Sequence, residues 1–200
     1  MKKLLFMIRM QGSEIPVSME RSELWENRIG LWIPTVPEIL LNDEMQGDAL
    51  RKTFLHEVVH AAEDICGFVL EEHCRADALA STVYSVFRSN SDLVDWLSAG
   101  TIVPPELVTL AGTVYWMREA REFMEPALRV VESAHPEIVL SRDASQGDLR
   151  RAVLSEAMSL GVEDLGGGVS LELQAGLSAA LLEILQTSPR AVDWLLGREG

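Results

Sequence analysis

The stretch TFLHEVVHAA, residues 53–62, holds two of the chain's four histidines, His56 and His60, with Glu57 beside the first. Histidines four apart on a helix stand one turn apart on the same face. Their imidazoles can therefore converge on one metal ion, and a glutamate beside the first reaches a water held there. Nitrogen donors at this spacing suit Zn²⁺, and a zinc site that does chemistry uses three protein ligands and keeps a fourth position open. The next helix is the place to seek the third. Asp77 is the first choice, since it lies inside that helix with Leu79 and Ala80 just beyond it. His73, one turn earlier on the same face, is the rival, and Glu71 and Glu72 near the turn are weaker options. Asp77 and His73 can also share the task, one ligating and the other orienting a ligand.

These residues need a frame. Gly47-Asp48 reads as a helix start with Asp48 as N-cap. Leu50, Phe54, Val58, Ala61 and Ala62 follow at helical spacing, and Gly67 is the expected stop. A second helix is predicted over 71–89, with Ala76, Leu79, Ala80, Val83 and Phe87 facing inward, and a short third helix begins at a Ser91 cap. Ahead of them KLLFMIRM, RIGLWIPTV and EILLND read as strands. Strands followed by a helix pair make an α+β unit.

The unit occurs twice in the sequence. PEILLNDEMQGDALRKTFLHEVVH (37–60) lies over PEIVLSRDASQGDLRRAVLSEAMS (136–159), and LASTVYSVFRSNSDLVDWL (79–97) lies over LSAALLEILQTSPRAVDWL (177–195). A tandem duplication is therefore expected, with domains 1–100 and 101–200 joined near SAGTIVPPEL and an intramolecular pairing of the two halves. The second copy keeps the apolar frame but has Ser155 and Ser159 where the first has His56 and His60, and Ala175 where the first has Asp77. Packing thus does not require the imidazoles, which favours a ligand role for them and predicts that the second half binds no metal. MREAREFMEPALRVVE, with its mixed charges, reads as a solvated helical face. The tryptophans Trp25, Trp32, Trp96, Trp116 and Trp194 read as core anchors, and His135 as an exposed loop residue.

Composition narrows the function. The 200 residues are 48% apolar with a formal charge of −14, which suits a globular chain able to bury a core. It excludes a nucleic-acid partner and an anionic membrane surface, both of which need clustered Lys and Arg. The opening MKKLLFMIRM is too short and too interrupted for a signal peptide, and no run reaches the ~18 apolar residues of a spanning helix. Cys66 and Cys74 read as reduced thiols. A cytoplasmic protein is expected.

With those residues set out, the first half resembles the zincin metallopeptidases. More narrowly it is similar to small HExxH proteins of tailed phages and prophages, grouped with ImmA/IrrE-like and SprT-like proteases. LRKTFLHEVVHA (50–61), DALASTVYSVFRSN (77–90) and the preceding strand EILLND (38–43) carry the likeness, which extends over 37–97. The resemblance implies a zincin-like fold and a zinc ion on His56, His60 and Asp77, with His73 as third ligand under the SprT-like pattern. It also implies Glu57 as general base, a protein or peptide substrate, and the cytoplasm of the host bacterium if the chain is phage-encoded. The strand before the helix is expected to pair with an extended peptide, as an exposed sheet edge does. The alternative is a non-catalytic interaction or assembly protein built from two pseudo-symmetric halves, with structural zinc or none.

Overall fold

Gln11 and Gly12 both take positive φ, 49° and 77°, the backbone of a two-residue primed hairpin turn whose twist matches the strands it joins. The turn folds β1 (Lys2–Met10) onto β2 (Ser13–Glu20) in antiparallel register, with Met10 opposite Ser13. This computed structural model describes residues 2–21, 28–70, 74–98, 103–121, 128–131, 133–163 and 170–198. β3 (Gly30–Ile33) and β4 (Glu38–Asn42) complete a four-stranded sheet in the order β1-β2-β4-β3. β2 is a strand the sequence pattern did not suggest, because Pro16 and its polar ends hide the alternation. The proline is tolerated because parallel pairing with β4 begins only at Val17, so no ladder bond to β4 is lost at Pro16.

Three helices follow, α1 (Gly47–Cys66), α2 (Cys74–Ser89) and α3 (Ser91–Leu97). The expected α1 stripe of Leu50, Phe54, Val58, Ala61 and Ala62 is buried, and Gly67 ends the helix in the left-handed conformation at φ 74°. Gln46, not Asp48, is the N-cap residue, and it makes no side-chain capping bond. Asp48 instead accepts a 2.6 Å hydrogen bond from the Tyr84 hydroxyl, tying α1 to α2. Ser91 likewise opens α3 without capping it. The N-cap is Asn90, whose side chain donates to the Val86 and Thr109 carbonyls and accepts from the Thr109 amide.

The second half has the same element order: β5 (Leu107–Leu110), β6 (Thr113–Ala120), β7 (Leu128–Val131), β8 (Glu137–Ser141), α4 (Gln146–Glu163), α5 (Leu171–Thr187) and α6 (Pro189–Leu196). Its sheet runs β5-β6-β8-β7, matching the first in order and in strand directions. The chain is thus α+β, with two four-stranded mixed sheets and six helices among the described residues. The expectation of a helical face over MREAREFMEPALRVVE is corrected. Residues 117–120 belong to β6 and 128–131 to β7, and 122–127 and 132 lie outside the described residues. Tyr115 and Met117 point into the core while Trp116 between them is 51% exposed, the period-two alternation of a strand. Trp116 is therefore no core anchor. Trp32, Trp96 and Trp194 are buried, Trp25 lies outside the described residues, and His135 is exposed as expected.

One hydrophobic core runs through both halves, because the helices cross over. α5 packs on β1 and α1, and α2 packs on α4. Phe6, Phe54 and Trp194 meet edge to face at 5.4–5.6 Å, joining β1 and α1 to α6. The two tryptophans of the repeated VDWL make reciprocal contacts: Arg51 lies over Trp194 at 5.7 Å and its repeat equivalent Arg150 over Trp96 at 5.5 Å. No helix among the described residues is long and apolar enough to cross a membrane. Replacing Trp194 by alanine is expected to cost about 3–5 kcal/mol. Because the core is shared, urea unfolding followed by fluorescence and circular dichroism should stay a single transition. Two separated transitions would show that each half closes a core of its own.

Candidate functional site

α1 places His56 and His60 on the face turned toward α2 and β3. Their Nε2 atoms face each other at 3.1 Å, with the rings inclined at 73°. Two lone pairs at that distance repel, so either one nitrogen carries a proton shared with the other or a cation lies against both. For comparison, two nitrogen ligands at ~2.0–2.1 Å on a tetrahedral zinc stand roughly 3.3 Å apart. The donor pair therefore fits one metal ion.

Each ring is held from its other side by a carboxylate. Asp77 Oδ1 lies 2.8 Å from His56 Nδ1, a close contact without the alignment of a hydrogen bond. Glu63 Oε2 lies 3.3 Å from His60 Nδ1, and the other Glu63 oxygen accepts the Leu70 backbone N–H at 2.8 Å. A carboxylate hydrogen-bonded to the far nitrogen fixes the tautomer and aims the near nitrogen, as in carboxylate–histidine–metal arrangements, and Glu63 does this for His60. Asp77 is thus brought to His56, but at the nitrogen turned away from His60, with its own side chain 70% exposed. Among the described residues no three His, Cys, Asp or Glu converge on a common point as a metal cage would require. His73, Glu71 and Glu72 lie outside the described residues.

Glu57 is 6% exposed. Its carboxyl is pushed up from 4.5 to about 7, chiefly by burial and further by the charge of Asp77, against the pull of a backbone N–H donated by Trp32. The Trp32 amide is available for a register reason. Asn42 donates to the Ile29 carbonyl, and antiparallel pairs alternate, so Leu31 and Ile33 bond to β4 while Gly30 and Trp32 turn their backbone groups outward. Among the described residues β3 pairs only with β4 and forms the sheet edge. This corrects the expectation that the strand before the helix receives a substrate. That strand, β4, lies inside the sheet between β2 and β3, so β3 is the strand an extended chain can join.

Gly30 makes this approach possible. A Cβ there would come within 2.6 Å of both Glu57 Oε1 and Thr53 Cγ2. At the equivalent place in the other sheet, Leu128 stands opposite Leu140 as Gly30 stands opposite Leu41, so the glycine is kept where the histidines are. A cavity of about 1000 Å³ opens over this ground, walled by Gly30, Trp32, His56, Glu57, His60 and Asp77 among others. In the second half the position of His56 is taken by Ser155, whose hydroxyl donates to Gln174 Oε1 at 3.1 Å. Sequence reasoning missed Glu63 and Gly30. Glu63 was detectable as the i+3 helical neighbour of His60, whereas nothing local marks Gly30. Comparisons with protein-family models, curated proteins and solved structures find no match to this chain.

Gly30→Ala is expected to cost about 1–3 kcal/mol through overpacking, read as a lower urea midpoint. Glu57→Gln should act in the opposite direction in metal-free protein. Between pH 4.5 and about 7 the unfolded chain loses a proton that the folded chain keeps, so the wild type loses stability as pH rises through that window. The glutamine variant should therefore be the more stable at pH 8, by roughly 3 kcal/mol at most, and equal to wild type at pH 4. Equal stability at both pH values would show that Glu57 is not desolvated.

Proposed function

We propose that this chain is a zinc-dependent peptidase. The observation that carries the reading is the facing Nε2 pair beside a buried carboxylate at the foot of an open strand edge. His56 and His60 would hold the metal, with Asp77 or His73 completing the donor set. A bound zinc ion supplies Lewis-acid polarisation of the scissile carbonyl and acidifies water in the site. Glu57 takes the proton from the attacking water and returns it to the leaving amine. Burial favours the protonated form of Glu57, while the Trp32 amide favours the charged form, so the group stands ready for both steps. The outward backbone of Gly30 and the Trp32 carbonyl give an extended peptide a strand edge to pair with, and its main chain would lie across the cavity. Glu63 holds the His60 ring by its far nitrogen.

The second reading is a non-catalytic assembly protein, and the shared core favours it, because a half without imidazoles is still needed to cover α1 and β1. Zinc and activity separate the two. The protein should carry close to one zinc per chain, lost in His56→Ala, and Glu57→Gln should abolish peptide cleavage with zinc retained. A Glu57→Gln protein with full biological activity would remove the enzyme reading. Asp77→Asn distinguishes its two possible roles: about 10–100-fold weaker zinc binding if the carboxylate orients His56, and loss of stoichiometric zinc if it ligates. His73→Ala, measured in parallel, supplies the complementary result.

A further inference from the structure

The β1–β2 turn is occupied. Glu183 of α5 lays its carboxylate against it, accepting the Gln11 backbone N–H at 2.5 Å on one oxygen and the Gly12 N–H at 3.1 Å on the other. Successive amides of a tight turn make a small positive concavity suited to an anionic oxygen. The β5–β6 turn has the same backbone, with Ala111 at φ 48° and Gly112 at φ 78°. The residue of α2 that occupies Glu183's place in the repeat is Ser85, which is short and uncharged. In place of a carboxylate there is a cavity of about 650 Å³, with Ser85, Thr109, Ala111 and Gly112 in its wall. Asp77 belongs to the wall of this cavity and to that of the cavity over His56, Glu57 and His60. The two spaces meet at Asp77.

We propose that the Ala111–Gly112 turn is a carboxylate-binding subsite of the substrate cleft, where an acidic side chain or C-terminal carboxylate of the peptide takes the position that Glu183 fills at the other turn. That the ligand is a substrate rests on the peptidase reading, whereas the anion site does not. Net negative charge is no obstacle, since Glu183 binds its own turn in the same chain. Asp77 repels a carboxylate at the near end of the groove and so favours its placement at the far end. Ser85 is two helical turns beyond Asp77, about 12 Å. An extended peptide covers that in roughly three to four residues, which sets the spacing between the acidic group and the scissile bond.

The test is a ¹⁵N–¹H titration of the full chain with acetyl-Gly-Glu-Gly-amide, with its glutamine counterpart, and with acetyl-Gly-Gly-Gly bearing a free C-terminus. Saturable shifts of the Ala111 and Gly112 amides are expected with the carboxylates and not with the glutamine peptide. The first and third peptides distinguish a side-chain from a terminal source. Ser85→Glu supplies the carboxylate internally, so it should abolish the response, and Glu183→Ser should make Gln11 and Gly12 responsive in turn. No carboxylate-dependent shift at Ala111 and Gly112 in the wild type overturns the proposal, as does an unchanged response in folded Ser85→Glu. If that variant does not fold, the wild-type comparison of glutamate with glutamine decides alone. Because the readout needs neither zinc nor cleavage, Glu57→Gln should keep these shifts. Cleavage without shifts removes the subsite only, and shifts without cleavage remove the peptidase reading only.

Discussion

Two imidazole nitrogens facing each other at 3.1 Å need either an N–H of one ring donated to the lone pair of the other or a metal ion against both. The site depends on that constraint. It can be met only if neither ring turns away, and each has a carboxylate at its far nitrogen: Glu63, from within α1, bonds His60, and Asp77, from α2, lies against His56. Glu63 is steadied in turn by the Leu70 amide just past the helix end, so the glycine stop at Gly67 contributes to the aim of His60. Glu57 points the other way, toward β3, where the absence of a side chain on Gly30 lets the strand approach the helix closely.

α1 keeps this position because both halves pack against it. One side meets β3 and β4, another α2, and another α5 from the second half. Reciprocal stacking of Arg51 on Trp194 and Arg150 on Trp96 gives the contact between halves the self-complementary character of a two-fold interface. Burying an arginine under an indole ring gives its alkyl stem an apolar surface and its charge an aromatic face, which explains why the same Arg and Trp recur in both copies. The second half thus covers apolar surface of the first whether or not it does chemistry.

The two copies also show how one frame is made to differ. Three changes coincide: imidazoles to hydroxyls at 155 and 159, an acid to Ala175, and the strand glycine to Leu128. Each suits the others. The glutamate itself is kept as Glu156, but half-buried where Glu57 is buried, and Leu128 stands at the strand position that Gly30 leaves open. At the hairpin turns the asymmetry is reversed, since the second half supplies the carboxylate and the first half leaves the matching turn beside a cavity.

The sequence by itself determined the α+β class, the helix frames, the recurrence of the unit and the pairing of His56 with His60, because each follows from local periodicity or from spacing along one helix. It also placed Asp77 near the site, since neighbouring helices bring fixed positions together. It did not reveal β2, whose alternation is masked by Pro16, nor the strand nature of 113–120, where mixed charge conceals a period of two. Only the tertiary structure decided that β3 and not β4 is the sheet edge, that Asp77 meets the far nitrogen of His56, that Gly30 admits Glu57, and that the halves exchange helices over one core. Those facts depend on strand order and on distances between residues remote in the chain, and neither is encoded in any single segment's pattern.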